Sequence, residues 1–160
     1  TDAARGIVRA GIPVMGHLGL TPQSASMIGG YKVQGRSAER AIGLLEDALA
    51  LQEAGVFSIL LELVPARIAE VITEKLDVPT ISIGSGADCD GHCQIYHDAI
   101  GMFEAFTPRH AKRYAEVGAT VRQAMNQFVQ EIEDGTYPGP EHSFKIKSEE
   151  LDAFLEYAAR

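Results

Sequence analysis

Apolar runs alternate with stretches of helical periodicity along this chain. The clearest run is Phe57-Ser58-Ile59-Leu60-Leu61-Glu62-Leu63-Val64-Pro65, entered through Gly55 and followed at once by an amphipathic stretch over 66–76. A run of that length, bounded by Gly and Pro and then by a helix, predicts a buried parallel strand. Residues 12–20 predict a strand before it, with Pro13 tolerated at the strand start, and Thr80-Ile81-Ser82-Ile83 predict one after it, rich in β-branched side chains. Between the first two runs, Ile42, Leu45, Leu49 and Ala54 mark the buried face of a helix over 38–54. Ser37 is its N-cap, Glu39 sits in its first turn and Gly55 stops it. Ile68, Val71, Ile72 and Leu76 mark the buried face of 66–76.

The remaining segments complete the pattern. Residues 1–11 predict a short helix closed by Gly11. An α/β domain rarely opens on a short helix, so the chain is expected to enter partway through a larger fold. Residues 94–99 predict a fourth short strand. Thr107 as N-cap and Pro108 at the first helical position predict a helix from 109 to about 133, with a break at Gly118. Residues 134–140, rich in Gly and Pro, end it, and 148–159 predict a peripheral charged helix capped by Ser148. Strand–helix three times, then a fourth strand and a helix, predicts a parallel sheet. Four such units make either a small open α/β sheet or half of an eight-fold barrel, and the opening helix favours the second half of a barrel.

Composition narrows the function classes. With 160 residues, 46% hydrophobic and 22% charged, the chain is long enough for one domain with a real core and is not disordered in character. Lys+Arg number 14 against 22 Asp+Glu, a net charge of −8, and no basic stripe is present, which argues against nucleic acid as a partner. No stretch approaches the roughly 20 apolar residues of a membrane span, and the first residues lack a signal-peptide pattern. Cys89 and Cys93 are the only cysteines and lie too close together to staple much, so they are expected as reduced thiols in a cytoplasmic protein.

Five features carry candidate chemistry. Glu62 ends an apolar strand, where an ionised carboxylate costs several kcal/mol unless paired and where α/β barrels keep their chemistry; alternatively it has left the sheet and caps the next helix. His17, flanked by Gly16 and Gly19 near a strand end, is either a hydrogen-bonded structural residue or a ligand contact. The loop 21–36 is long for a βα connection and reads as a lid or as a packed excursion. Gly84-Ser85-Gly86 after a strand is either an anion cradle or a tight turn, and it matches no full nucleotide motif. Cys89, His92, Cys93 and His97 are metal-ligand types in no standard zinc spacing, and a strand over 94–99 would split them between faces.

Several segments together resemble the ketopantoate hydroxymethyltransferase family, also called 3-methyl-2-oxobutanoate hydroxymethyltransferases. They are Gly16-His17-Leu18-Gly19-Leu20-Thr21-Pro22-Gln23-Ser24, Gly29-Gly30-Tyr31-Lys32-Val33-Gln34-Gly35-Arg36, Glu62-Leu63-Val64-Pro65, Asp90-Gly91, His97-Asp98 and Glu141-His142-Ser143-Phe144. The match in order and spacing runs from about 10 to 144. The resemblance implies a (β/α)8 TIM barrel of the phosphoenolpyruvate/pyruvate superfamily, of which this chain carries the last four βα units over 1–144, with 145–160 as a peripheral tail.

It implies transfer of a hydroxymethyl group from 5,10-methylenetetrahydrofolate to 3-methyl-2-oxobutanoate, giving 2-dehydropantoate for pantothenate synthesis. Glu62 falls on the family's base and His17 on a histidine near the substrate. The resemblance also implies Mg²⁺, with no metal ligand in this chain: the metal-binding carboxylates and the keto-acid-binding lysine belong to the half of the family's chain outside this sequence. A homo-oligomer, a decamer in bacterial members, is implied as well. The family often has Cys where Leu63 stands and Gly-Ile-Gly-Ala-Gly where Ser82-Ile83-Gly84-Ser85-Gly86 stands. Other readings are an α-keto-acid lyase or mutase of the same superfamily, against which the loop motif argues, and a non-catalytic half-barrel.

Overall fold

The computed structural model describes residues 1–27 and 29–160. Its elements are α1 (Asp2–Arg9), β1 (Met15–Gly19), α2 (Ala38–Glu53), β2 (Ser58–Glu62), α3 (Ala66–Lys75), β3 (Thr80–Ile83), β4 (Gly91–His92), α4 (Tyr96–Ala99), α5 (Val117–Glu133) and α6 (Ser148–Ala158). The four strands form one parallel sheet in the order β1-β2-β3-β4. Each expected strand up to Ile83 is present, with β1 and β2 shorter than expected and β3 over the expected residues. The chain divides into two compact units, Thr1–Ala115 and Glu116–Arg160.

Alternation along β2 sets the layers of the first unit. Ile59 and Leu61 are fully buried among Ala48, Val56, Val64, Ala69, Ile72 and Cys89, the core between the sheet and helices α2 and α3. Strand residues two apart share a face, so Ser58, Leu60 and Glu62 point the other way. The register places Met15, His17 and Gly19 beside those three on that opposite face. Ser37 caps α2 as expected, its hydroxyl accepting the Arg40 N–H at 3.3 Å. The expected buried face of α2 is present in part: Ala54 is buried and Leu45 packs against the core, while Ile42 and Leu49 are exposed and Ala48, with Leu44 and Leu51 around it, takes the inward position. The small side chain of Ala48 lets the helix approach the sheet closely, and the larger neighbours are turned aside.

One expected element is absent and another starts late. Residues 94–99 do not form a strand. The fourth strand is Gly91–His92, extended by the Cys93 N–H donating to the Ser82 carbonyl at 2.8 Å, and Tyr96–Ala99 turns helical. Nor does a helix begin at Arg109. Gln94 holds both the N–H and the carbonyl of Lys112, and the Tyr114 N–H donates to the Ala99 carbonyl at 2.7 Å. Backbone groups committed to those tertiary bonds cannot form the helical ladder, so α5 starts at Val117.

Asp90 anchors the start of β3. Its Oδ2 accepts the Thr80 N–H at 2.8 Å and the Thr80 hydroxyl at 3.1 Å. The Thr80 N–H holds the Asp90 carboxyl below its usual range, with burial opposing and the hydroxyl adding to the effect. A carboxyl whose folded value is lowered contributes stability above its unfolded value, and that contribution is lost as pH falls through the folded value. Asp90→Asn is therefore expected to flatten the loss of stability below about pH 4, measured as the urea midpoint across pH.

The second unit contains α5 and α6. Tyr137 lies against Phe128 and His142, with ring centroids 5.5 Å and 5.0 Å apart. Lys147, rather than Ser148, occupies the N-cap position of α6. Among the described residues no helix is long and apolar enough to cross a membrane.

Candidate active site

Glu62 is the last residue of β2 and remains in the sheet, paired in register with Gly19 and Ile83. His17 lies on the neighbouring strand, on the same face and two positions earlier in register. Parallel pairing thus brings together two side chains 45 residues apart, with His17 Nε2 3.0 Å from Glu62 Oε2. With Nε2 protonated, the imidazole donates to the carboxylate and leaves Oε1 for another partner. Glu62 is 15% exposed and His17 31% exposed, so the pair is sheltered and still open to a small molecule.

The backbone around Glu62 is held on both sides. Its carbonyl accepts the Leu20 N–H at 2.8 Å, the Leu63 N–H donates to the Ile83 carbonyl at 3.0 Å, and the Leu63 carbonyl accepts the Gln34 N–H at 2.9 Å. Leu63 itself has φ +48°, a left-handed conformation uncommon for a residue with a side chain. The chain needs that bend to leave the strand and enter α3 through Pro65. Behind it, the buried Ser85 hydroxyl donates to the Leu61 carbonyl at 2.7 Å and accepts the Val64 N–H at 3.0 Å. Ser82 supports Ser85 by accepting its N–H at 3.1 Å and donating to the Gly86 carbonyl at 2.9 Å. Ser85→Ala leaves a buried N–H without its partner and is expected to lower stability by about 1–3 kcal/mol, measured from the urea midpoint.

A cavity of about 400 Å³ opens at the carboxyl end of β2 and β3. Leu20, Leu63, Ile83 and Ile95 give it apolar walls, Tyr31, Val33 and Phe106 come from loops, and Glu62, Asp98, Arg109 and His110 are its ionisable residues. The long loop thus supplies Tyr31 and Val33 to the cavity; residue 28 of that loop lies outside the described residues. Among the described residues no three His, Cys, Asp or Glu side chains are grouped to hold a metal ion. Mg²⁺ demands near-octahedral oxygen coordination, and the Glu62–His17 pair does not by itself fit it. Cys89 is buried and lies 3.7 Å from the Thr73 hydroxyl, while Cys93 is exposed, so the cysteine–histidine stretch is not one cluster.

Residues 1–140 match the family model described as ketopantoate hydroxymethyltransferase. The chain belongs to this family. A 3-methyl-2-oxobutanoate hydroxymethyltransferase of Chloroflexus aurantiacus is 54% identical over 149 residues, covering 93% of this chain and 53% of that protein. Those of Syntrophobacter fumaroxidans and Thermus thermophilus are 51% and 50% identical, over 93% and 89% of this chain and 52% and 55% of their own length. The chain therefore spans about half the length of these curated relatives.

Within this chain, sequence reasoning singled out Glu62 and His17 separately; the sheet register joins them. It did not single out Asp98, Arg109 or His110 as cavity residues. The His97-Asp98 pair entered only as part of a motif. Placing 94–99 in a strand hid the turn that carries Asp98 to the cavity.

Proposed function

We propose that this chain carries the enolising half of a hydroxymethyl transfer from 5,10-methylenetetrahydrofolate to 3-methyl-2-oxobutanoate, giving 2-dehydropantoate for pantothenate synthesis. The observation that supports it is Glu62: a carboxylate at the carboxyl end of a parallel strand, on the cavity wall and steadied by His17. In this reading a Glu62 carboxylate oxygen takes the proton from C3 of the keto acid. The C3–H electron pair passes into the adjacent carbonyl, forming the enolate. Water adds to the methylene carbon of the folate donor as its bonds to N5 and N10 break, releasing tetrahydrofolate and a one-carbon unit at the formaldehyde level. The enolate carbon bonds to that carbon, whose oxygen takes up a proton to become the hydroxyl. His17 acts as a positioning residue that turns Glu62 toward C3.

The same reading includes Mg²⁺ as a Lewis acid, with its ligands outside these 160 residues. It also includes closure of the sheet into a (β/α)8 barrel. Sequential strand order with no reversal and a sheet face bearing Met15, Leu60 and Ile81 away from the helices support that closure, since parallel sheets are covered on both faces. A homo-oligomer in the cytoplasm completes it.

The test is loss of the C3 proton signal of 3-methyl-2-oxobutanoate in D₂O with the protein that carries this chain and Mg²⁺. Exchange without folate, and turnover only when the methylene donor is added, are expected. A protein that exchanges no C3 proton, or that turns over other keto acids in preference, overturns the assignment.

A further inference from the structure

The cavity holds a second carboxylate that the proton abstraction does not use. Asp98 sits in the short helix α4, lines the cavity and is 9% exposed. Among the described residues its carboxylate has no hydrogen bond and no ion pair, although its own backbone N–H is satisfied by the Ile95 carbonyl at 3.1 Å. A carboxylate enclosed to that degree is stabilised by donors, and an occupant of the cavity it lines can supply them.

The keto acid is not that occupant. It is an anion with no N–H or O–H donor, and a second carboxylate repels it. The cavity, at about 400 Å³, is also larger than a five-carbon keto acid requires. Its walls suit a flat ring: Leu63, Ile83 and Ile95 are aliphatic, and the aromatic side chains of Tyr31 and Phe106 are exposed.

We propose that Asp98 is a binding residue for the folate co-substrate, its two carboxylate oxygens accepting the adjacent N3–H and 2-amino N–H donors of the pterin ring. Two parallel donors on a rigid edge match a carboxylate as a guanidinium fork does. The inference rests on the hydroxymethyl-transfer reading of the site. It places the pterin against Asp98 and the keto acid against Glu62, within one cavity, so that the one-carbon unit is presented toward the enolate.

The experiment uses the protein that carries this chain. Asp98→Asn is nearly isosteric but has only one acceptor atom on the side chain. It is expected to weaken tetrahydrofolate binding on the order of tenfold to a hundredfold and to raise the KM for the methylene donor similarly. The KM for the keto acid and the folate-independent C3 exchange rate are expected to stay within about twofold of the parent. Asp98→Ala gives the same division if the charge and not the fold is at issue.

A tetrahydrofolate analogue lacking the 2-amino group supplies the second measurement. The parent is expected to bind it more weakly than tetrahydrofolate, and Asp98→Asn to bind the two nearly equally. Unchanged tetrahydrofolate binding, retained discrimination in the variant, or a parallel fall in C3 exchange overturns the role of Asp98. Absence of C3 exchange in the parent protein instead overturns the hydroxymethyl-transfer reading itself.

Discussion

Glu62→Gln is expected to abolish C3 proton exchange on 3-methyl-2-oxobutanoate, reducing it by roughly 10²–10⁴-fold, and to take hydroxymethyl transfer down with it. The amide has nearly the same shape and retains an acceptor for the His17 N–H, so the 3.0 Å contact and the strand register survive. What disappears is the group that takes the proton. Stability is expected to change little, because the side chain makes no other hydrogen bond among the described residues. The measurement is the exchange rate in D₂O beside a urea midpoint on the same preparation. A variant that exchanges at the parent rate removes Glu62 from its role. A variant that loses exchange together with its folded structure demands Glu62→Asp as the second test. Asp keeps the base but draws it back by one methylene, and a partial rate is expected.

The second large effect is expected at Gly19. This residue has φ +89°, a conformation that costs a residue with a side chain about 1–2 kcal/mol. An added Cβ would also collide with the Glu62 carbonyl oxygen and come within 2.7 Å of Val64 Cγ2. That carbonyl is the acceptor for the Leu20 N–H, so the collision cannot be relieved without moving the strand end that carries Glu62. Gly19→Ala is therefore expected to lower stability by about 3 kcal/mol or more and to reduce C3 exchange on the order of a hundredfold, since an ångström of misplacement at a reacting group costs about that much. Gly11→Ala separates the two causes. Gly11 has a similar φ of +82° with nothing within 4 Å of an added Cβ, so only the backbone strain is imposed. Its exchange rate is expected to match the parent. Equal losses at the two positions would show that strain alone, and not contact with the Glu62 carbonyl, sets the effect.

Most of the scaffold was legible because its signals are local. Apolar runs bounded by Gly and Pro located β1, β2 and β3, and Ser37 announced α2 through a hydroxyl that caps its own helix. The errors lie where distant backbone groups compete with local preference. Gln94-Ile95-Tyr96-His97 reads as a strand, yet the pairing with β3 ends at Cys93 and the next residues coil. Thr107-Pro108 is a sound helix start, yet Gln94 and Ala99 take the backbone groups at Lys112 and Tyr114. The Ser82 and Ser85 hydroxyls acquire meaning only in three dimensions, as a buried pair behind the bend at Leu63.

By itself the sequence determined that this is a parallel α/β chain of the ketopantoate hydroxymethyltransferase family with a carboxylate at a strand end. Periodicity, caps and contiguous motifs are properties of neighbouring residues. Only the tertiary structure decided that His17 holds Glu62, that Ser85 braces the turn after it, and that Asp98 lines the same cavity with no partner for its carboxylate among the described residues. Those are relations between residues tens of positions apart. Strand register and tertiary hydrogen bonds set such relations, and no local pattern encodes them.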